Sequence, residues 1–195
     1  MTDTTGTGPY VRPAGPSDAA ALAAALLRNR ARMRPYEPRR DEAFYTADVQ
    51  AARLAAPGTR SWLVVDGDRV VGAATLSGIA LGAFRSAFLG YWTDGAYTGR
   101  GLATRAVHEV CRAAREDLGL HRIEAGTLPD NAASQRVLAR CGFERIGTAP
   151  RYLHIDGAWR DHHLFQRVLH DDPPPGMCVG FRGTAGTGNL KADDS

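Results

Sequence analysis

Hydrophobic residues along this chain recur with two periods, one typical of helices and the other of strands. The clearest helical period covers residues 102–118, where apolar positions return every three or four residues and charged side chains occupy most of the opposite side. Gly119 follows and suits a helix end. Residues 131–140 show the same spacing and are followed by Gly142. These patterns predict one long and one shorter amphipathic helix in the second half of the chain.

Short apolar and β-branched runs predict the strands. The runs at 62–65 and 70–76 flank Asp66-Gly67-Asp68, a turn sequence that predicts a hairpin between them. The run at 86–92 is expected to extend the same antiparallel sheet. Further strands are predicted at residues 11–13, 122–127, 143–151 and 160–168.

Two helices are predicted between the first two strands. Ser17 and Asp18 suit the cap of an Ala- and Leu-rich helix that runs to about residue 30, and a second helix covers about residues 41–54 and ends before Pro57. The order is then one strand, two helices, three strands, a long helix, a strand, a helix and two strands. It predicts a mixed α+β fold, with a central, mostly antiparallel sheet of about seven strands and about four helices on its faces.

Chain length and composition are those of one globular domain. The sequence has 195 residues, of which 44% are hydrophobic and 23% charged, enough for a substantial core. Residues 1–9 are rich in Thr and Gly, and residues 171–195 contain three consecutive prolines and several glycines, compositions poorly suited to packing a core. We therefore predict a folded domain at residues 10–170 between two disordered ends.

Charge and cysteine content restrict the possible partners. The net charge is +3 and the pI is about 9.0, but the arginines are spread along the chain, so no nucleic-acid partner is predicted. Cys111, Cys141 and Cys178 have neither metal-ligand nor disulfide-framework spacing, and His162 and His163 point to opposite faces of a predicted strand, so no metal is expected. No apolar run approaches the roughly 18 residues that span a membrane, and the N-terminus is unlike a secretory signal. These features favour a cytoplasmic protein without a membrane partner.

The most informative stretch is the predicted strand-to-helix connection at residues 90–104. Gly99 and Gly101 precede the long helix, where glycines let a ligand approach the backbone and where the free N–H groups of the first turn favour a phosphate or pyrophosphate. The Walker pattern is absent, and Thr104 stands where the dinucleotide fingerprint needs its third glycine. By itself this motif is compatible with a structural tight turn or with an anion site.

With Gly99-Arg100-Gly101 in this position, the chain resembles the GNAT acetyltransferases, whose cofactor loop reads Gln/Arg-x-x-Gly-x-Gly/Ala between the fourth strand and the third helix. Ala96 stands at the first position of that pattern, a departure that removes one side chain but no backbone amide. The resemblance covers about residues 10–169. Within the family, the chain is similar to the branch that acetylates the alanine or serine amino termini of ribosomal proteins. Its other motifs are Leu118-Gly119-Leu120-His121-Arg122-Ile123-Glu124-Ala125, Asn131-Ala132-Ala133-Ser134, Cys141-Gly142-Phe143-Glu144 and Asp156-Gly157-Ala158-Trp159-Arg160-Asp161.

The resemblance implies that acetyl-CoA, as co-substrate, lies between two central strands that splay apart. It also implies that a backbone N–H near Trp92 or Thr93 polarises the thioester carbonyl, and that Ser134 contacts coenzyme A and protonates the departing thiolate. The residues expected to bind the cofactor are Trp92, Thr93, Gly99, Arg100, Gly101, Ala103, Thr104, Asn131 and Ser134. Tyr91 and Trp92 also suit an ordinary strand core, and Asn131 also suits a helix cap.

The acid and the base of the reaction are less evident from the residues. Many family members have a tyrosine acid seven residues after the asparagine, but this chain has Leu138 there, which leaves Ser134, a water or solvent to protonate the thiolate. An amino terminus has a pKa of about 8, so a base is needed at neutral pH. Glu124 is the first candidate, although an ion pair with a neighbouring arginine also explains it, and Tyr152 and His154 are weaker candidates.

The predicted activity is acetyl transfer from acetyl-CoA by direct attack of a primary amine, with a protein or peptide amino terminus as the acceptor. Two alternatives remain open: acetylation of a small amine such as an antibiotic, a polyamine or an amino acid, and a noncatalytic module that binds coenzyme A as a sensor. Three arginines fall in the region where the family commonly forms a substrate wall: Arg30, Arg32 and Arg34. They either accept an acidic substrate or are solvated surface charges. The sequence is compatible with a monomer or a homodimer.

Overall fold

The computed structural model describes residues 8–175, so most of the two ends expected to be disordered, and Cys178, lie outside the described residues. No helix in residues 8–175 is long and apolar enough to cross a membrane. The strands are β1 (Tyr10–Pro13), β2 (Arg60–Asp66), β3 (Arg69–Ala80), β4 (Ser86–Thr93), β5 (Arg122–Thr127), β6 (Glu144–Ile155) and β7 (Ala158–Val168). The α-helices are α1 (Ala19–Met33), α2 (Ala47–Leu54), α3 (Leu102–Glu116) and α4 (Ala132–Arg140).

All seven strands form one sheet in the order β1-β2-β3-β4-β5-β7-β6. Every neighbouring pair is antiparallel except β4 and β5, which run parallel. This confirms the predicted mixed, mostly antiparallel sheet. The β4–β5 pairing ends at Leu89 and Ala125, although β4 continues to Thr93 and β5 to Thr127. The two strands therefore separate beyond Leu89, and the second half of β4 has no partner on that side.

The core lies on both faces of the sheet, and strand alternation divides it. Val64 packs in a cluster with α3 and α4, whereas its neighbours Leu63 and Val65 pack in a second cluster with α1 and Phe44. The predicted apolar face of α3 is buried, and Gly119 follows it with a φ of 59°, a conformation that favours glycine. The two faces thus place α3 and α4 opposite α1 and α2, with the end of β4 between them.

Two predictions for the first half of the chain were wrong in part: the start of the second helix and the side-chain cap of the first. The helix expected at 41–54 is a short 3-10 turn (Glu42–Tyr45) followed by α2, because Thr46 is extended and its hydroxyl accepts a hydrogen bond from the N–H of Val49 at 3.5 Å. Asp18 precedes α1, but its side chain does not cap that helix. The Asp18 carboxylate instead forms an ion pair with Arg12 at 2.6 Å.

Candidate active site

A cavity of about 750 Å³ lies where the second half of β4 has no partner. Its walls come from β4, the first turn of α3 and one face of α4 on one side, and from α1, α2 and the connection between them on the other. The cavity therefore joins the glycine-containing loop to the region that the arginines of the first half were expected to line.

The start of α3 presents free backbone donors to this cavity. Gly101 is the N-cap of α3 with a φ of 74°, and Gly99 has a φ of 76°. The first helical hydrogen bond runs from the N–H of Arg105 to the carbonyl of Gly101 at 3.0 Å, so the N–H groups of residues 102–104 have no acceptor within the helix. A Cβ atom at either glycine would meet nothing within 4 Å, so conformation rather than crowding requires glycine here. The arrangement suits a pyrophosphate.

Arg100 lies in the same loop, but its side chain is not part of the cavity wall. Its guanidinium stacks over the ring of Tyr97, 4.8 Å from the centroid, and the Tyr97 hydroxyl donates to Asp66 at 2.7 Å. The remaining loop and helix residues predicted to bind the cofactor, Gly99, Gly101, Ala103 and Thr104, all line the cavity.

Asp94 fixes the connection between β4 and this loop. Its buried carboxylate accepts hydrogen bonds from Arg28 at 2.9 Å, from Asn29 at 3.2 Å and from the N–H of Ala96 at 3.0 Å. The Asn29 side chain in turn accepts from the N–H of Gly95 at 3.0 Å. Burial by itself would raise the pKa of Asp94, but these hydrogen bonds outweigh it and lower the pKa. Helix α1 thereby holds the loop in place.

The last residue of β4, Thr93, directs its backbone N–H to the open side of the strand. The N–H of Asp94 donates to Val71 of β3 at 2.8 Å, and the carbonyl of Trp92 also faces β3. Because successive N–H groups of a strand alternate in direction, the N–H of Thr93 points away from β3. The Thr93 carbonyl, on that same side, accepts a hydrogen bond from Arg32 at 2.8 Å. Both Trp92 and Thr93 line the cavity, and their side chains alternate across the sheet.

Ser134 and Tyr91 form a hydroxyl pair across the cavity. The Asn131 side chain caps α4 by accepting from the N–H of Ser134 at 3.0 Å, as the alternative interpretation of Asn131 predicted. The Tyr91 hydroxyl lies 2.7 Å from Ser134 Oγ and donates to the Ser134 carbonyl at 3.0 Å. Burial raises the pKa of Tyr91 to about 12, so the phenol keeps its proton at neutral pH.

The contact between Tyr91 and Ser134 was not predicted from the sequence. The available signal was that Tyr91 lies near the end of the strand that leads into the glycine loop.

The three side chains considered as bases lie outside the cavity wall. Glu124 forms the alternative ion pair, with its Oε1 3.3 Å from a guanidinium nitrogen of Arg122. In the β6–β7 hairpin, the Tyr152 ring contacts His162 in a tilted arrangement, and the His154 ring contacts Trp159 edge to face. Within residues 8–175, no group of three potential ligands could hold a metal ion.

The arginines expected to form a substrate wall take separate positions. Arg32 lines the cavity, whereas Arg30 pairs with Glu42 at 2.6 Å and Arg34 pairs with Asp156 at 2.9 Å. Arg32 is thus the member of this group that faces both the cavity and the end of β4.

Known proteins resemble this chain over most of its length. The family model described as an acetyltransferase (GNAT) domain matches residues 10–144. A probable N-acetyltransferase of Bacillus subtilis, YjcK, is 34% identical over 84% of this chain and 95% of its own length. The ribosomal protein uS5-alanine N-acetyltransferase of Escherichia coli is 35% identical over 80% of this chain and 86% of its own length.

Solved structures agree with these matches. Ribosomal-protein-S5-alanine acetyltransferase from Vibrio fischeri has a TM-score of 0.81 at 33% identity, covering 89% of this chain and 100% of that one. RimJ of Mycobacterium smegmatis, solved with CoA-disulfide, has a TM-score of 0.72 at 32% identity, covering 82% of this chain and 81% of that one. With the splayed β4–β5 pair and the glycine-capped α3, these similarities show that the chain belongs to the GNAT family of acetyl-CoA-dependent N-acetyltransferases.

Proposed function

We propose that this protein transfers the acetyl group of acetyl-CoA to the α-amino group of a protein whose first residue is alanine. The Escherichia coli relative that is 35% identical is named for that reaction on ribosomal protein uS5. We propose the same class of acceptor for this chain. A ribosomal acceptor also agrees with the predicted cytoplasmic location. The observation that carries the proposal is that one cavity contains a glycine-capped helix start, an outward N–H at the end of β4 and a hydroxyl pair.

The cofactor half of the cavity offers a distinct contact to each part of acetyl-CoA. The N–H groups of residues 102–104 and the positive end of the α3 dipole are suited to the pyrophosphate. The outward N–H of Thr93 is suited to the thioester carbonyl, where negative charge develops as the amine attacks. These contacts hold the thioester in place and stabilise the developing oxyanion, which are the two main contributions to rate for an activated acyl donor.

The hydroxyl pair provides a proton for the leaving group. When the C–N bond forms and the C–S bond breaks, Ser134 Oγ can give its proton to the thiolate. The Tyr91 hydroxyl, 3.0 Å from the Ser134 carbonyl and 2.7 Å from Oγ, can then turn its proton from the carbonyl to Oγ and restore it. The proton lost from the acetylated nitrogen returns the pair to its starting state through solvent. Because the pKa of Tyr91 is raised to about 12, its hydroxyl remains a donor throughout the physiological pH range.

The test is release of free thiol from acetyl-CoA in the presence of peptides that start with alanine, the same peptides with a blocked amino terminus, and a panel of small amines. We expect turnover with the free alanine terminus and none with the blocked peptide. Gly101→Glu should abolish turnover, because it places a side chain and a negative charge at the pyrophosphate position. Ser77→Ala, an exposed hydroxyl outside the cavity wall, is the matched control for Ser134→Ala.

Two results would contradict the proposal. Turnover with small amines but with no peptide would favour the small-molecule acetyltransferase. Binding of coenzyme A without thiol release for any amine would favour the sensor.

A further inference from the structure

Glu37 is the one carboxylate among the described residues that line the cavity. It follows the 3-10 turn Arg34–Tyr36 at the end of α1 and has an extended backbone. It belongs to the wall formed by the α1–α2 connection, opposite the glycine loop of α3. An acceptor amine that approaches the thioester from this side would therefore pass Glu37.

The turn between β6 and β7 holds the backbone around Glu37 in place. The N–H of Asp156, in the β6–β7 turn, donates to the Glu37 carbonyl at 3.3 Å. The Asp156 carboxylate also pairs with Arg34 at 2.9 Å and with Arg39 at 3.4 Å, so residues on both sides of Glu37 are tied to the same turn. These contacts engage the Glu37 carbonyl and the side chains of its neighbours, and none of them uses the Glu37 carboxylate.

The surroundings of the Glu37 carboxylate suit a proton acceptor. Burial raises its pKa, and this outweighs the opposing influence of the positive charges on Arg40 and Arg53. Those two guanidiniums stack over the ring of Phe44, at 4.6 and 4.8 Å from its centroid. The negative charge of Glu37 also contributes to a raised pKa of Tyr45, after the larger contribution of burial. Among the described residues, burial and the charges of Arg40 and Arg53 account for the pKa of Glu37, without a side-chain hydrogen bond.

We propose that Glu37 receives the ammonium group of the acceptor and removes one proton from it before the amine attacks the thioester. The inference rests on the proposed function, because it concerns the acceptor of that same reaction. One proton passes from the acceptor nitrogen to a Glu37 oxygen and then to solvent. The neutral amine forms the C–N bond as the C–S bond breaks, and the thiolate takes a proton from Ser134. The nitrogen then releases its second proton to solvent, and Ser134 regains a proton from solvent through Tyr91. The net reaction yields the acetylated amine, free coenzyme A and one proton.

The test compares Glu37→Gln with Glu42→Gln. Glu42 is a matched control, because it lies in the same connection, pairs with Arg30 on the surface and does not line the cavity. Each variant is assayed with two peptides, one that starts with alanine and one that starts with trifluoroalanine. Fluorine withdraws electrons and keeps the second amine neutral at pH 7, so that peptide needs no base.

For the alanine peptide at pH 7, we expect Glu37→Gln to lower kcat/KM by about tenfold or more, because an amine with a pKa of about 8 is only about one-tenth neutral at that pH. The loss should shrink towards pH 9, where the amine is neutral in solution. For the trifluoroalanine peptide, Glu37→Gln should remain within about twofold of the wild type. Glu37→Asp should restore part of the activity, and Glu42→Gln should match the wild type with both peptides.

Three results would overturn the role of Glu37: no loss with the alanine peptide, an equal loss with both peptides, or an equal loss in Glu42→Gln. Thermal unfolding and coenzyme A affinity of each variant serve to exclude a folding defect. If the wild type acetylates no amino terminus at all, the proposed function fails and this inference fails with it. Turnover by the wild type together with an unaffected Glu37→Gln overturns only the inference.

Discussion

Removal of the Tyr91 hydroxyl tests whether it acts through Ser134. Tyr91→Phe deletes a hydroxyl that lies 2.7 Å from Ser134 Oγ and leaves the ring, which packs against the α3–α4 core, in place. Ser134→Ala removes the other member of the pair. If Tyr91 only restores the proton that Ser134 donates, its deletion should matter in the presence of Ser134 and have no effect once Ser134 is gone.

The expected sizes follow from the contacts. A positioned proton donor contributes about 100-fold or more, and a thiolate is a good leaving group, so we expect Ser134→Ala to lower kcat by about 10- to 100-fold. A single hydrogen bond contributes about 0.5–1.5 kcal/mol, so Tyr91→Phe should lower kcat by about 2- to 10-fold. The double variant should equal Ser134→Ala, since the two residues act in sequence.

The assay is a double-mutant cycle on kcat for thiol release, with Tyr10→Phe, an exposed tyrosine in β1, as the control. Because burial raises the pKa of Tyr91 to about 12, kcat of the wild type should not fall between pH 7 and 10 through loss of that proton. Additive effects of the two substitutions, or an unchanged kcat in Ser134→Ala, would refute the proton relay.

Three further predictions concern the supports of the site. Gly101→Ala places a side chain at a φ of 74°, so it should lower stability by about 1–2 kcal/mol and weaken coenzyme A binding. The control Gly147→Ala should change neither property. Thermal unfolding and calorimetry measure the two effects, and unchanged values for Gly101→Ala would contradict the requirement for glycine. Asp94→Asn should cost about 2–3 kcal/mol at pH 7, less than for a fully buried pair because Arg28 is 35% exposed. Folding lowers the pKa of Asp94, so its contribution to stability is present above the unfolded pKa of about 3.9 and is lost as the pH falls through the folded pKa. The free energies of unfolding of the wild type and Asp94→Asn, measured in urea, should therefore be closer at pH 3 than at pH 7. A constant difference would exclude this ionisation as the cause. Burial raises the pKa of Cys141 to about 11, so iodoacetamide at pH 8 should label it only after unfolding, and rapid labelling of the native protein would show that this thiol is accessible.

The pattern of apolar residues correctly predicted the helices and strands that bury one continuous face. The period of α3 and the alternation along β5 survive in the structure because each element buries one continuous face, at Val107 and Val110 in the helix and at Ile123 and Ala125 in the strand. The break at Thr46 was missed, because the apolar spacing continues across it while the backbone takes an extended cap conformation.

The sequence alone determined the family, the order of the elements and the glycine loop at the start of α3, since these depend on neighbouring residues and on their periodicity. Tertiary structure decided which side chains share the cavity. Tyr91 and Ser134 are 43 positions apart, and their contact exists only because β4 and β5 separate beyond Leu89. Glu37, which was not considered as a base, lines that cavity, whereas Glu124 pairs with Arg122 outside it. No local pattern distinguishes these two carboxylates, because exposure to the cavity is set by how the α1–α2 connection packs against the end of the sheet.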